Sequence, residues 1–386
     1  MAETALTVGE RSFELHRPHT STASPFRAWS AADVLVINEL ASLQPASTVL
    51  VINETWGAVS VVLAAAGHTP MTWNDSVLNR AAIEANFAAN GLVIDGSQLF
   101  GGHDVAAEDI ADVVVLLPTK HSDLTGWQVG LAAHALKPGG VAFAASMSKH
   151  LSKATMSALG TGFGVVGPRR AVGKARIVDL SEPLAPPVGE VRPTLAFSTV
   201  EGIAAHSLPG VFGNDRLDQA TALLLETLEN GPAQAMIEAA SEVVDLGCGN
   251  GAIAATLAKR HSGPHFHLVD ASDRALLAAL ATWSASGLDN DRCTAVLSDG
   301  CAALSDKSVD LVVSNPPFHQ GHAVDNALAQ RLVADAARTL RADGALVAVA
   351  HRSVDLHHGL SRSFDEVKAV SKHPNFVALV ARKPSR

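Results

Sequence analysis

Residues 243–254 read VVDLGCGNGAIA: an apolar run, three glycines at alternate positions, then small helix-forming residues. A continuous apolar run ended by Gly247 suits a strand covered on both faces, as in a parallel sheet flanked by helices. Gly247, Gly249 and Gly251 permit tight backbone angles and close approach of a ligand. In an open α/β sheet such a turn lies at the carboxyl end of its strand, where ligands bind, and the amides opening the next helix can receive an anionic group. Outward from this point, strands are predicted over residues 266–270, 294–298, 311–314, 345–350 and 376–380. Helices are predicted over residues 217–228, 252–261, 273–284 and 326–340.

The earlier half repeats this order. TVLVINETWGAVSVVLA (residues 48–64) lies on EVVDLGCGNGAIAATLA (242–258), which matches Gly57 with Gly251. DVVVLLPTKH (112–121) lies on DLVVSNPPFH (310–319), and LKPGGVAFA (136–144) on LRADGALVA (340–348). Three correspondences in one order at similar spacing predict an internal duplication. Between the copies, SEPLAPPVGEVRP (181–193) holds four prolines and no helical period, so it reads as an extended linker. The expected division is residues 1–180, a linker over 181–195, and residues 196–386.

Composition narrows the classes. The 386 residues are 47% hydrophobic and 17% charged, which excludes wholesale disorder. No apolar run reaches about 18 residues, so no membrane span is expected. The opening MAETALTVGERSFELHR has acids scattered through it and no signal-peptide pattern. Three cysteines (Cys248, Cys293, Cys301) without paired spacing argue against a disulfide scaffold or a cysteine zinc site, and fit a reducing cytoplasm. His319 and His322 flank a proline turn and His357 and His358 are adjacent, yet without carboxylates at ligand spacing no metal is expected. The net charge of −9 means that a nucleic-acid partner has to be met by a local patch. One candidate is the span from Leu124 to Val178, which holds no Asp or Glu and seven cations, among them Lys149, Lys153, Arg169, Arg170 and Lys174.

The chemistry gathers in the later half. Asp270 ends the second strand, where a carboxylate accepts ribose hydroxyl hydrogen bonds. A dinucleotide site is the rival, but the spacing is G-x-G-x-G rather than G-x-G-x-x-G, and Asp245 near the first strand's end suits a cationic amine. SNPPFHQGH (314–322) directly follows the strand DLVV. Asn315 and the carbonyl of Pro316 offer two acceptors, and Phe318 a flat face for a planar base. An exocyclic amine on a conjugated ring is a poor nucleophile. Two acceptors gripping its hydrogens draw the nitrogen toward tetrahedral geometry and aim its lone pair, so orientation supplies much of the acceleration.

VVDLGCGNG, Asp270, the Ser298–Asp299 pair and SNPPF resemble the class I S-adenosylmethionine-dependent methyltransferases acting on exocyclic or amide nitrogens. FRAWSAADVLV (26–36), LPGVFGNDRLDQATALLLETL (208–228) and NPPFHQGHAVDN (315–326) extend the resemblance along the chain, to the ribosomal RNA guanine-N2-methyltransferases with a duplicated domain. The large-subunit "G" type is nearest and the small-subunit "C" type next. The resemblance implies two tandem Rossmann-like α/β domains with seven-stranded, mostly parallel sheets, the first degenerate. It implies methyl transfer from S-adenosyl-L-methionine to the N2 amine of a guanosine in 23S rRNA. Asp245, Gly247, Cys248, Gly249, Asn250 and Gly251 would line the methionine end of the cofactor, Asp270 would hold the ribose, and Asp299 would meet the adenine amine. Asn315, Pro316 and Phe318 would hold the guanine. The family usually carries Ser-Arg-x-Gly-Leu-Asp-x-Gly before the first strand; here only Leu217 and Asp218 match.

The first half has lost this equipment. At the glycine turn it keeps only Gly57, with Glu54 and Trp56 where small residues would admit the cofactor. At the proline turn Leu117 replaces asparagine and Lys120 the aromatic. This half is expected to be catalytically silent and to meet rRNA phosphates through the acid-free span, with Asp75 either a remnant of a pocket or a surface acid. A monomer is expected, because the duplication supplies within one chain an interface that other enzymes make by pairing. The other readings are a 16S rRNA enzyme, a protein-glutamine or DNA-adenine N-methyltransferase, a noncatalytic RNA-binding ribosome assembly factor, and a hydride-transferring oxidoreductase.

Overall fold

The structure is a computed structural model that describes residues 3–18, 26–102, 104–184, 192–213, 216–230, 233–316, 323–354, 356–371 and 373–383. The chain divides into two compact units, Met1–Val191 and Arg192–Arg386.

The first unit opens with a hairpin, β1 (Ala5–Val8) and β2 (Arg11–Glu14), followed by α1 (Ala31–Leu40). Then come β3 (Thr48–Ile52), α2 (Ala58–Ala65), β4 (Thr69–Trp73), α3 (Val77–Ala89) and β5 (Leu99–Phe100). The rest is β6 (Ala111–Leu116), α4 (Ser122–Ala135), β7 (Leu136–Met147), α5 (Lys153–Leu159), β8 (Phe163–Pro168) and β9 (Ala175–Pro183).

The second unit begins with a hairpin, β10 (Thr194–Ser198) and β11 (Ala204–Ser207), then α6 (Gln219–Asn230) and α7 (Gln234–Ala239). It continues through β12 (Glu242–Leu246), α8 (Ala252–Arg260), β13 (His265–Asp270), α9 (Asp273–Ala285) and β14 (Cys293–Leu297). It ends with β15 (Val309–Ser314), α10 (Ala323–Thr339), β16 (Leu340–His351), α11 (Leu356–Leu360), β17 (Glu366–Ala369) and β18 (Phe376–Arg382).

Each unit is built on a seven-stranded sheet, ordered β5-β4-β3-β6-β7-β9-β8 in the first and β14-β13-β12-β15-β16-β18-β17 in the second. Substituting strand for strand turns one order into the other, so the repeat read from three sequence segments is a repeat of topology. In both sheets β9 or β18 runs antiparallel to its neighbours and the remaining pairs are parallel. The central strands explain their own sequences. Val49–Ile52 and Val243–Val244 are almost wholly buried, and each such side chain contributes about 1.5–3 kcal/mol through removal from water.

Two expectations shift. The linker was placed from residue 181, but β9 continues to Pro183. There it has overrun β7, whose pairing stops at Leu180, and pairs only with β8. A proline at the end of a locally one-sided strand costs no ladder bond. The linker's other end is also shorter, because β10 starts at Thr194. The helix predicted from Leu217 starts at Gln219, where the Asp218 carboxylate caps it by accepting from the N–H groups of Ala220 (3.0 Å) and Thr221 (3.3 Å). The short strand β17 went unread because its four residues EVKA are half-buried to exposed and carry no apolar period.

Candidate active site

The three glycines between β12 and α8 all adopt left-handed backbone, with φ of +72° at Gly247, +53° at Gly249 and +75° at Gly251. Their reasons differ. A Cβ on Gly251 would stand 2.8 Å from the Cα of Ala279, so this glycine lets α8 and α9 touch. A Cβ on Gly247 would meet nothing within 4 Å: the space beside it is open. Gly249 donates its N–H to Asp270 Oδ2 at 3.0 Å, tying the turn to the end of β13.

Asp245 is fully buried on β12. Its Oδ2 accepts the N–H of Ala254 in the first turn of α8 (3.1 Å), while Oδ1 has no hydrogen-bond partner among the described residues. Burial, with the Asp270 charge adding to it, pushes its carboxyl up to about 7. A buried carboxylate oxygen without a donor is costly, and a cationic donor beside it would remove the cost. Asp270 is also pushed up by burial; its Oδ1 accepts from Ser272 N–H at 3.0 Å. The Ala271 N–H bonds the carboxylate as well, and of its four lone-pair sites one is left for a further donor.

Cys248 and Asn250 sit in the turn, and each is held by its surroundings. The thiol of Cys248 is buried in the core and pushed well above its ordinary range by burial. Asn250 Nδ2 donates to the carbonyl of Gly213 (2.7 Å) and its Oδ1 accepts from Ala252 N–H (3.3 Å), so the side chain fastens the segment before α6 to the glycine turn. Both residues line the cleft beside the glycine turn. Asp299 is engaged as well, since its carboxylate forms an ion pair with Arg331 of α10.

On the neighbouring strand, Ser314 donates its hydroxyl to the Leu246 carbonyl (2.7 Å), locking the end of β15 against β12. Asn315 follows. Its Nδ2 donates to Asp218 Oδ2 (3.3 Å) and to Thr221 Oγ1 (3.0 Å). Both amide hydrogens are thus spent on the start of α6, which leaves the Oδ1 acceptor to face away from them. Asp218, Thr221, Gly247, Gly249 and Asn315 line one cleft. Asp218 matched the family pattern, but its hold on the Asn315 amide was not read from sequence. Pro316 follows Asn315 at the strand end; Phe318, with His319 and His322, lies outside the described residues.

The basic span is less uniform than its sequence. Arg169 is bound to both oxygens of Asp179 (2.6–3.0 Å) and to Glu39 Oε1 of α1 (2.8 Å). This pairing holds its guanidinium well above its ordinary value. Counting acids within 124–178 missed both partners, because they enter from other parts of the first unit. Lys149, Lys153, Arg170 and Lys174 are exposed.

The equivalent place in the first unit is built differently. Val51 stands where Asp245 stands. The buried Glu54 comes from the turn instead, accepting from Ser60 N–H (3.2 Å), from Val59 N–H and from the Ser60 hydroxyl. Asn53 takes the position of Gly247 with φ +68° and exchanges both amide hydrogen bonds with Gln128 (2.6 and 2.7 Å). The end of β4 matches Asp270 with Asn74 rather than Asp75: Asn74 Oδ1 accepts from Ser76 N–H (2.9 Å), as Asp270 does from Ser272.

Comparison with known proteins agrees with this division. Residues 3–183 match the family described as RLMG N-terminal domain, and residues 202–380 the Methyltransferase small domain. A Ribosomal RNA large subunit methyltransferase G of Streptomyces griseus is 33% identical over 98% of this chain and 99% of its own length. The protein of the same name from Pseudomonas fluorescens is 33% identical over 96% and 97%. The chain belongs to the large-subunit ribosomal RNA methyltransferase G family. A 16S rRNA N2 methyltransferase from T. thermophilus, solved with AdoMet and guanosine, shares the fold of this family member. Its TM-score is 0.75 at 23% identity, over 98% of this chain and 97% of that one. Among the described residues no helix is long and apolar enough to cross a membrane, and no group of three or more His, Cys, Asp or Glu is placed to hold a metal ion.

Proposed function

We propose that the second unit transfers a methyl group from S-adenosyl-L-methionine to the exocyclic N2 amine of a guanosine in 23S rRNA. The observation that carries this reading is the fixed amide of Asn315, whose two hydrogens are held by Asp218 and Thr221 beside the glycine turn. The names of the near relatives support the large-subunit RNA as substrate. The residues fit the cofactor: an orphaned buried acceptor at Asp245 Oδ1, open space at Gly247 and spare acceptor capacity at Asp270 all adjoin one strand edge. When bound, S-adenosylmethionine supplies an electrophilic methyl group on a positively charged sulfur.

Asp245 Oδ1 would receive the amine of the methionine portion, and the glycine amides its carboxylate. Asp270 would hold the ribose hydroxyls. Asp299 would hold the adenine amine, in competition with Arg331. Asn315 Oδ1 and the Pro316 carbonyl would accept the two hydrogens of guanine N2, with the base against Phe318. Asp218 and Thr221 act through Asn315 as positioning residues. They make the wrong amide rotamer, with NH2 toward the guanine amine, lose two hydrogen bonds of about 1 kcal/mol each. The target guanosine has to be unpaired, or to leave its stack, to enter the site.

The first unit is proposed to be silent in methyl transfer, with its glycine-turn position closed by Glu54, Asn53 and Gln128. Lys149, Lys153, Arg170 and Lys174 are proposed to meet RNA phosphates. Arg169, also expected to meet RNA, ties Glu39 of α1 to Asp179 of β9. The chain is proposed to act as a monomer in the cytoplasm. Methyl transfer from tritium-labelled cofactor tests the whole reading, with protein-free 23S RNA, assembled subunits, 16S RNA, DNA and a release factor as acceptors. Nucleoside mass spectrometry should find N2-methylguanosine in 23S RNA. Label in any other acceptor alone, or in another nucleoside, sinks it.

A further inference from the structure

The first unit, silent in the reading above, is not empty. A cavity of about 1220 Å³ opens at the carboxyl ends of β3, β6 and β7. Its floor includes Leu117 and Pro118, the counterparts of Asn315 and Pro316, and its opposite wall is the FRAWS segment before α1. This is above the roughly 300–1,000 Å³ common for small-molecule sites. The cavity also reaches the glycine-turn segment, where Asn53, Glu54, Thr55 and Trp56 line it, the first two held by the hydrogen bonds described above.

The walls combine flat rings with positive charge. The Arg17 guanidinium lies 5.4 Å from the Phe26 ring centre and 5.1 Å from that of Trp56, and Arg27 lies 5.8 Å from Trp29. Lys174 and His150 line the same cavity. Two acids also line it, and both are occupied internally. Asp33 Oδ2 accepts the Ser30 N–H (2.6 Å) in the capping box of α1, and Glu54 caps α2. Burial pushes both carboxyls upward, Glu54 to about 7; among the cations Arg27 is paired with Glu3 (3.3 Å), whereas Lys174 lines the cavity and is exposed. A guanidinium plane among aromatic rings presents a stacking surface for a planar base, and neighbouring cations present partners for a phosphate.

We propose that this cavity receives an unstacked nucleotide of the RNA substrate other than the target guanosine, its base against the Arg17–Trp56–Phe26 platform and its phosphate against Lys174. The pocket has thus exchanged a methyl donor for a recognition base. The proposal rests on the RNA substrate class argued above, and its test separates the two.

Binding is measured on the full chain carrying Asn315→Ala, which prevents turnover, with single-stranded oligonucleotides of the 23S sequence, 5′-GMP, 5′-AMP, 5′-UMP, 5′-CMP and inorganic phosphate as probes. Ultraviolet cross-linking to thio-substituted RNA, read by peptide mass spectrometry, should place a nucleotide on Trp56 or Phe26. Trp56→Ala and, separately, Arg17→Ala should each weaken oligonucleotide binding about tenfold, as expected for loss of one stacking partner. S-adenosylhomocysteine affinity should not move. Arg17→Lys keeps the charge but not the plane, and should recover less than half of the loss in logarithmic terms. Oligonucleotide affinity within twofold of the parent in both alanine variants overturns the proposal, as does inorganic phosphate binding as tightly as every mononucleotide. If Trp56→Ala fails to fold, Arg17→Ala decides. Methylation of 23S RNA by the parent chain with Asn315 intact, together with unaltered binding in the variants, removes the pocket and spares the proposed activity. Lost oligonucleotide binding in a chain whose parent methylates no RNA keeps the pocket and removes the activity.

Discussion

Two buried carboxylates separate the halves of this molecule. Asp245 sits on the strand, gives one oxygen to the first turn of α8 and leaves the other without a donor. Glu54 sits one turn further along in the copy, and both its oxygens serve the first turn of α2 and the Ser60 hydroxyl. Ser60 itself is within 2.9 Å of the Thr72 hydroxyl, which completes the network. Both acids are pushed to about 7 by burial, so the shift does not distinguish them. The difference lies in satisfaction. A buried acid with every lone pair used is structural, whereas one with an open oxygen beside an open glycine is prepared for a ligand.

The strongest way to break the comparison is at the proline turns. Asn315→Ala should lower kcat about 10³-fold, on the scale seen for loss of one preorganised dipole, with S-adenosylhomocysteine affinity within about threefold by calorimetry. The reciprocal change, Leu117→Asn in that background, should restore nothing, because Glu54 still closes the first glycine turn. Restored transfer would refute the silence of the first unit.

The next contrast is steric. Gly251→Ala forces a Cβ to 2.8 Å from Ala279 Cα, whereas Gly57→Ala meets Ile83 Cα at 3.3 Å. Overpacking and left-handed strain together predict a loss of about 2–4 kcal/mol for the former and about 1–2 kcal/mol for the latter, read by denaturant unfolding.

A third contrast is titration. Only the carboxylate form of Asp245 attracts a cationic amine. Its folded pKa near 7 lies above the ordinary aspartate value, so binding is favoured above that pH and lost as pH falls through it. S-adenosylhomocysteine affinity should fall about tenfold from pH 8 to pH 6, and Asp245→Asn should flatten the profile. The sign is opposite for folding. Burying these acids costs most above pH 7 and least below the unfolded pKa, so each half's stability should decline from about pH 4 to 7. A pH-independent affinity in the parent protein would remove Asp245 from the amine site.

The smallest effects compare cations within the first unit. Replacing Lys149, Lys153, Arg170 and Lys174 by alanine should weaken RNA binding several-fold and lower its salt slope. Arg169→Ala should leave the salt slope unchanged and cost about 1 kcal/mol in the stability of the first unit, as an exposed but bidentate, networked ion pair.

Much of this was written in the chain. VVDLGCGNG and SNPPF are consecutive residues whose meaning is local: glycines set the backbone, prolines end the strand, and the strand–turn–helix order places both at one sheet edge. The duplication was legible for the same reason, since the apolar strands recur in register with Gly57 and Pro118. Partners from other elements were not legible. Nothing near residue 315 announces that Asp218 and Thr221 hold its amide. Nothing near residue 250 says that Asn250 spends its side chain on Gly213.

Sequence by itself determined the alternation of strands and helices along the later half, the repeat, the glycine turn and the residue types at the proline corner, because these follow from backbone freedom and apolar period over a few neighbours. The tertiary structure alone decided which charges and amides are already committed. Arg169 is paired with Glu39 and Asp179, Asp299 is paired with Arg331, and Asp245 keeps an open oxygen where Glu54 keeps none. Hydrogen bonds and ion pairs are satisfied across space rather than along the chain, so the open group at a site is visible only once every other group has found its partner.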